Sequence, residues 1–116
     1  MAQAFTKALL SGDTNGKGIL ISATSTAGTT VHTATASTTA FDEVWLYAHN
    51  TNASSVKVTV EWGETGTAKN TVITIPADSG RFLITDGRLI NNSLVVGVFA
   101  ATTNVITISG FVNQIV

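Results

Sequence analysis

The chain has 116 residues, the size of one domain in the usual range of roughly 100 to 200. Only 11% of it is charged, against roughly 25% in an average globular protein, and six Lys+Arg against seven Asp+Glu leave a net charge of −1. That balance excludes a counterion-displacing nucleic-acid binder and a polybasic membrane-surface protein, and the lack of cysteine excludes a disulfide framework, a thiolate metal site and a cysteine nucleophile.

Met1 to Leu10 has neither the basic start nor the continuous apolar stretch of a secretory signal, so the protein is expected to be made and kept in the cytoplasm, or to leave by lysis rather than by secretion. No stretch reaches the roughly 18 uninterrupted apolar residues of a membrane-spanning helix. Gln3 to Leu10 is the only helix candidate, and it is short enough for isolated helicity to be marginal. Its Phe5, Leu9 and Leu10 either dock on the core or reach out to a partner as an arm. Residues 1–16 therefore read as an arm and turn, and residues 17–116 as the folded domain. Gly12-Asp13-Thr14-Asn15-Gly16-Lys17-Gly18 superficially matches a phosphate-binding loop. Its glycines are one residue too close, and Gly18 stands where a Mg²⁺-binding Ser/Thr is required. It reads as a turn.

Beyond it, Val, Ile and Thr fill about a third of the chain, and such β-branched residues favour strands. Strands are predicted at Gly18 to Ala23, Thr29 to Thr35, Glu43 to Asn50, Ser55 to Trp62, Thr71 to Ile75, Arg81 to Ile84, Ser93 to Ala100 and Val105 to Ser109. Turn residues fall between them, among them Ala27-Gly28, Asn50-Thr51-Asn52, Gly63-Glu64-Thr65-Gly66, Asp78-Ser79-Gly80, Asp86-Gly87 and Asn91-Asn92. The expected fold is a single-domain, all-β, antiparallel β-sandwich of about eight strands, with a jelly roll among the arrangements that fit.

Alternation sorts side chains by face. Val56, Val58, Val60 and Trp62 share one face and Lys57, Thr59 and Glu61 the other. Glu43, Trp45, Tyr47 and His49 form a stripe opposite Val44, Leu46 and Ala48. That stripe reads as a subunit interface, where Trp and Tyr are enriched, ahead of a sugar-stacking platform. Leu94 to Phe99 is apolar on both faces and needs a cover, either a loop of the same chain or, slightly favoured, a subunit or partner protein, so Val95 and Phe99 join the interface candidates. His32 and His49 lack a local carboxylate or nucleophile and read as structural or interface residues. Two histidines without cysteine argue against a metal site, and no cofactor or catalytic constellation is expected.

Four stretches carry a family resemblance: Ser11-Gly12-Asp13-Thr14-Asn15-Gly16-Lys17-Gly18-Ile19, Asp42-Glu43-Val44-Trp45-Leu46-Tyr47-Ala48-His49-Asn50, Val60-Glu61-Trp62-Gly63, and Val105 to Asn113. In length, order and texture the chain resembles small virion structural proteins of tailed bacteriophages, most closely capsid decoration (cement) proteins. The resemblance implies a compact β fold, often trimeric, seated on the capsid exterior and bracing the major capsid protein. Accessory head-fibre, tail or neck proteins and host-glycan-binding modules are the alternatives. The interface candidates are Phe5, Leu9, Leu10, Trp45, Tyr47, His49, Val95 and Phe99.

Overall fold

A computed structural model describes residues 4–116, so Met1, Ala2 and Gln3, including the start of the helix candidate, lie outside the described residues. The described residues form nine strands: β1 (Phe5–Leu9), β2 (Ile19–Leu20), β3 (Thr29–Thr33), β4 (Phe41–Asn50), β5 (Val56–Trp62), β6 (Thr71–Ile75), β7 (Phe82–Ile90), β8 (Val95–Ala100) and β9 (Ile106–Ile115). A single turn of 3₁₀ helix, Thr67–Lys69, precedes β6.

Every strand pair is antiparallel, and the pairs nest like one long hairpin. β5 pairs β6, β4 pairs β7, β3 pairs β8 and β2 pairs β9. The hairpin is folded over itself, so successive pairs fall alternately into two sheets. One holds β1-β9-β4-β7 with β2 beside β9, and the other holds β3-β8-β5-β6. The protein is an all-β two-sheet sandwich, and the nesting of its strands is that of a jelly roll.

Between the sheets lies an apolar layer of Leu10, Ile21, Val31, Val44, Leu46, Val58, Val60, Ile75, Val96, Val98, Ile106 and Ile108, all essentially inaccessible. The predicted alternation is realised along β4, where Val44, Leu46 and Ala48 face inward and Trp45, Tyr47 and His49 outward. Val58 on β5 and Ile108 on β9 lie on the inner faces, as their register requires.

Three elements differ from expectation. The segment expected as a helix is strand β1, laid in register on β9 from Phe5↔Ile115 to Leu9↔Phe111. So short a helix forms few internal bonds, whereas β9 presents an open edge of donors and acceptors to a strand. Residues 5–9 are therefore part of a sheet rather than a detached arm. Asp86-Gly87, read as a turn, lies inside β7, which runs on to Ile90. The register shift between Val44↔Arg88 and Trp45↔Asp86 leaves Gly87 as an extra residue, a bulge rather than a reversal. Finally, β9 continues through Gly110 for ten residues, past the predicted end at Ser109.

β1 and β2 are two pieces of one edge, lying end to end along β9. Between them the chain leaves the sheet, drops Leu10 into the core and crosses to β3. There Gly12 N–H donates to Val31 O (3.0 Å), and Thr33 N–H donates to Ser11 Oγ (2.7 Å). This crossing closes one open side of the sandwich. On the opposite side the Arg88 guanidinium lies 4.3 Å from the centre of the Trp62 ring, bridging the two sheets.

Candidate functional site

Five of the eight interface candidates share one surface, the outer face of the five-stranded sheet. Pairing places Phe5, Ile115 and Phe41 in one row across that face, and Lys7, Asn113, Glu43 and Leu89 in the next. The third row is Leu9, Phe111 and Trp45; the fourth holds Ser109, Tyr47 and Leu83; the fifth holds Leu20, Thr107 and His49. Phe5, Leu9, Leu20, Phe41, Leu83 and Leu89 are each more than a third exposed. Together they make this a broad exposed apolar face.

The centre of the face is held rigidly. Trp45 stacks on Phe111 at 6.1 Å between ring centres with 12° between planes. Gly87 makes room for the indole: a Cβ there would lie 3.0 Å from Trp45 Cζ2, and its φ of +89° is one that side-chain-bearing residues seldom adopt. Trp45 Nε1–H donates to Glu43 Oε1 (2.8 Å), and the Asn113 amide donates to the same oxygen (2.9 Å). These two hydrogen bonds, that from Asn113 foremost, hold the Glu43 carboxyl below its ordinary value of 4.5, against a smaller opposing effect of burial. Lys7 Nζ sits 4.6 Å above the Phe111 ring, and the Arg81 guanidinium 4.3 Å above Tyr47. Lys7, Arg81 and Glu43 are thus engaged with the aromatic rings of this face, and Asn113 with Glu43.

The remaining candidates lie elsewhere. Leu10 is 1% exposed and belongs to the core, which corrects its reading as a partner contact. It directly follows Leu9, the last residue of β1, and the alternation of that strand puts it on the inward side with Ala8, opposite Phe5, Lys7 and Leu9. Val95 and Phe99 lie on the outer face of the other sheet, with Val95 40% exposed and Phe99 half-buried beside Thr59. Sequence reasoning missed Phe111, Asn113, Leu83 and Leu89. Carrying the period of two through Gly110 finds Phe111 and Asn113; the bulges in β7 hide the other two.

His32 takes a structural place. A register shift at Val31 turns both Val31 and His32 inward. Ser11 N–H donates to Nδ1 (3.0 Å), which leaves the ring proton on Nε2 to donate to Asp42 Oδ2 (2.7 Å). Thr35 N–H donates to the same oxygen (3.1 Å). The Ser11 hydroxyl accepts from Thr33 rather than facing the ring, so the trio clips the crossing segment to β3. The glycine-rich turn is likewise occupied by its own chain: Asp13 Oδ1 accepts from Gly18 N–H (3.0 Å), putting a carboxylate where a phosphate would sit.

Among the described residues, no group of three or more His, Asp or Glu is arranged to hold a metal ion. No helix among them is long and apolar enough to cross a membrane. These observations define an all-β sandwich with one broad apolar face. No family model, curated protein or solved structure matches the chain.

Proposed function

We propose that the protein is a structural assembly protein that docks through the outer face of the five-stranded sheet, acting as a phage decoration protein on the exterior of a capsid. The observation that carries this reading is the apolar face around the Trp45–Phe111 stack, with Phe5, Leu9, Phe41 and Leu89 exposed along it. Burying such a face adds binding free energy to the assembled state, about 25 cal/mol per Å² of apolar area. The rings are held before contact, so little side-chain entropy is lost on docking. A net charge of −1 suits the outside of a shell better than its DNA-facing inside. The partners are the major capsid protein and further copies of this chain, in a trimer.

The accessory head-fibre, tail or neck alternative uses the same face against a different partner. The glycan-binding alternative requires free ring faces for sugar stacking. Phe111 lies between Lys7 and Trp45, Tyr47 lies under Arg81, and Trp45 lies against Gly87, which weighs against it.

The test adds purified protein to cognate heads lacking it and counts the bound copies. The double substitution Phe5→Asp and Leu89→Asp is expected to abolish binding while thermal melting stays close to the parent's. Undiminished occupancy would remove this face from the role. Light scattering on the free chain reads the oligomer, and a monomer would discard the trimer.

A further inference from the structure

The outer face of the four-stranded sheet holds a feature of another kind. Glu61 points away from the core, yet it is only 2% exposed. It lies across from Gly97 on β8, and the loop before β3 is drawn over it. Gly28 N–H donates to Glu61 Oε1 (2.6 Å) and the Thr26 hydroxyl donates to Oε2. A carboxylate has about four acceptor positions, so these two bonds leave roughly half of its capacity free. Among the described residues no Lys, Arg or His pairs with it.

This carboxylate lines a cavity of about 410 Å³. Gly28 and Gly97 bring no side chains to it, Leu94 and Val95 form an apolar flank, and Thr65 and Ser93 bring hydroxyls. Glu64 adds a second carboxylate at the rim, where Lys69 pairs with it from outside the cavity at 3.4 Å. The lining carries two acidic side chains and no basic one. A buried anion without a cation, beside an apolar flank 42% exposed at Leu94 and 40% at Val95, is complementary to a positive head on an aliphatic stem.

We infer that this cavity binds an alkyl-ammonium or alkyl-guanidinium group, with Glu61 receiving the charged head and Leu94 and Val95 seating the stem. The site lies on the sheet opposite the apolar docking face and stands independently of the assembly role. A Lys or Arg side chain of a protein and a free amine share this chemistry.

The experiment follows backbone amide resonances of the whole chain during titration with n-butylguanidinium, with the tripeptide acetyl-Gly-Arg-Gly-amide, and with uncharged n-butylurea. The expected result is saturable shifts at Gly28 and Gly97 with both cations and none with the urea. Glu61→Gln, which keeps an acceptor for Gly28, is expected to weaken binding about tenfold or more, since a hydrogen bond to a charged partner is lost. Leu94→Ala leaves the carboxylate clasp untouched and is expected to weaken binding several-fold. It keeps the proposal testable should the Glu61 variant fail to fold. Tighter binding of the tripeptide assigns the head group to a protein partner, and tighter binding of the small cation assigns it to a free small-molecule cation. Absence of saturation, an equal response to the urea, or unchanged affinity in folded Glu61→Gln or in Leu94→Ala would each overturn the site.

Discussion

The two outer faces of the sandwich are built from the same alternation and have become different surfaces. On the five-stranded sheet, polar groups attend the rings: Glu43 and Asn113 hold Trp45, Lys7 covers Phe111 and Arg81 covers Tyr47. Around them Phe5, Leu9, Phe41, Leu83 and Leu89 stay exposed. On the four-stranded sheet, a loop crosses the face and fastens to one buried carboxylate, leaving a cavity lined by two acidic side chains and no basic one. The first face suits a broad partner surface and the second a single cationic group. Neither property follows from strand pattern alone, because each depends on what neighbouring strands and loops bring across.

The largest effects separate the common core from either face. Val58→Asp and Ile108→Asp, one on each sheet, each bury an unpaired charge at a site with no exposure. Each is expected to cost about 3–5 kcal/mol in chemical denaturation, enough to unfold a marginal domain. Parent-like stability of either variant would be incompatible with the inward register of β5 or β9.

His32→Leu comes next. It leaves Asp42 buried beside an apolar group, and removing one partner of a buried pair costs about 3 kcal/mol or more. Because His32 also holds Ser11, hydrogen exchange at Gly12 and Thr33 should rise along with the loss of stability.

Gly110→Ala isolates the five-stranded sheet. A Cβ at this position would lie 1.9 Å from Trp45 O, so β4 and β9 must part. A loss of about 2 kcal/mol is expected, in the range of overpacked sites. Gly80→Ala serves as its control: nothing lies within 4 Å of the added carbon, and only the φ of +68° opposes it, costing about 1 kcal/mol.

Smaller still is the effect of pH on the aromatic face. The Glu43 carboxyl is depressed in the folded protein, so its contribution is complete above the unfolded value of 4.5 and is lost as pH falls through the lower folded value. The Trp45 indole N–H resonance should move in that acid window and stay flat in Glu43→Gln. A midpoint at or above 4.5 would contradict the arrangement. Smallest is Lys7→Met, for which the lost cation–π contact is worth about 0.5 kcal/mol at an exposed site. Thermal melting within error of the parent's would show that Lys7 covers Phe111 without contributing to stability.

How far the sequence reaches depends on the element. The stripe Glu43, Trp45, Tyr47 and His49 is legible because β4 runs ten residues without a bulge of its own, so a period of two carries through. Leu83 and Leu89 are hidden because β7 carries extra residues opposite β4, and each extra residue flips the face of those that follow. Phe5 and Leu9 stand out in the sequence as unpartnered apolar residues, but their element does not. Helix and edge strand are both short and weak in isolation, and only the open edge of β9 decides between them. Alternation puts Glu61 on the outward face, yet nothing local announces that a loop 33 residues distant buries it.

A single all-β domain with few charges and no cysteine can be read from the chain without its fold. Those properties are local and compositional: β-branched residues, alternation and turn residues act over a few positions along the chain. How the long hairpin rolls, so that β2, β4, β7 and β9 share one sheet and β3, β5, β6 and β8 the other, is settled only in three dimensions. So is the meeting of aromatic rings from β4 and β9 on one face while a carboxylate is enclosed on the other. The cause is the long sequence separation of the partners. β1 pairs with β9 from the far end of the chain, and β3 with β8 across more than half of it. Such pairings are set by closure of the whole core, which no single segment contains.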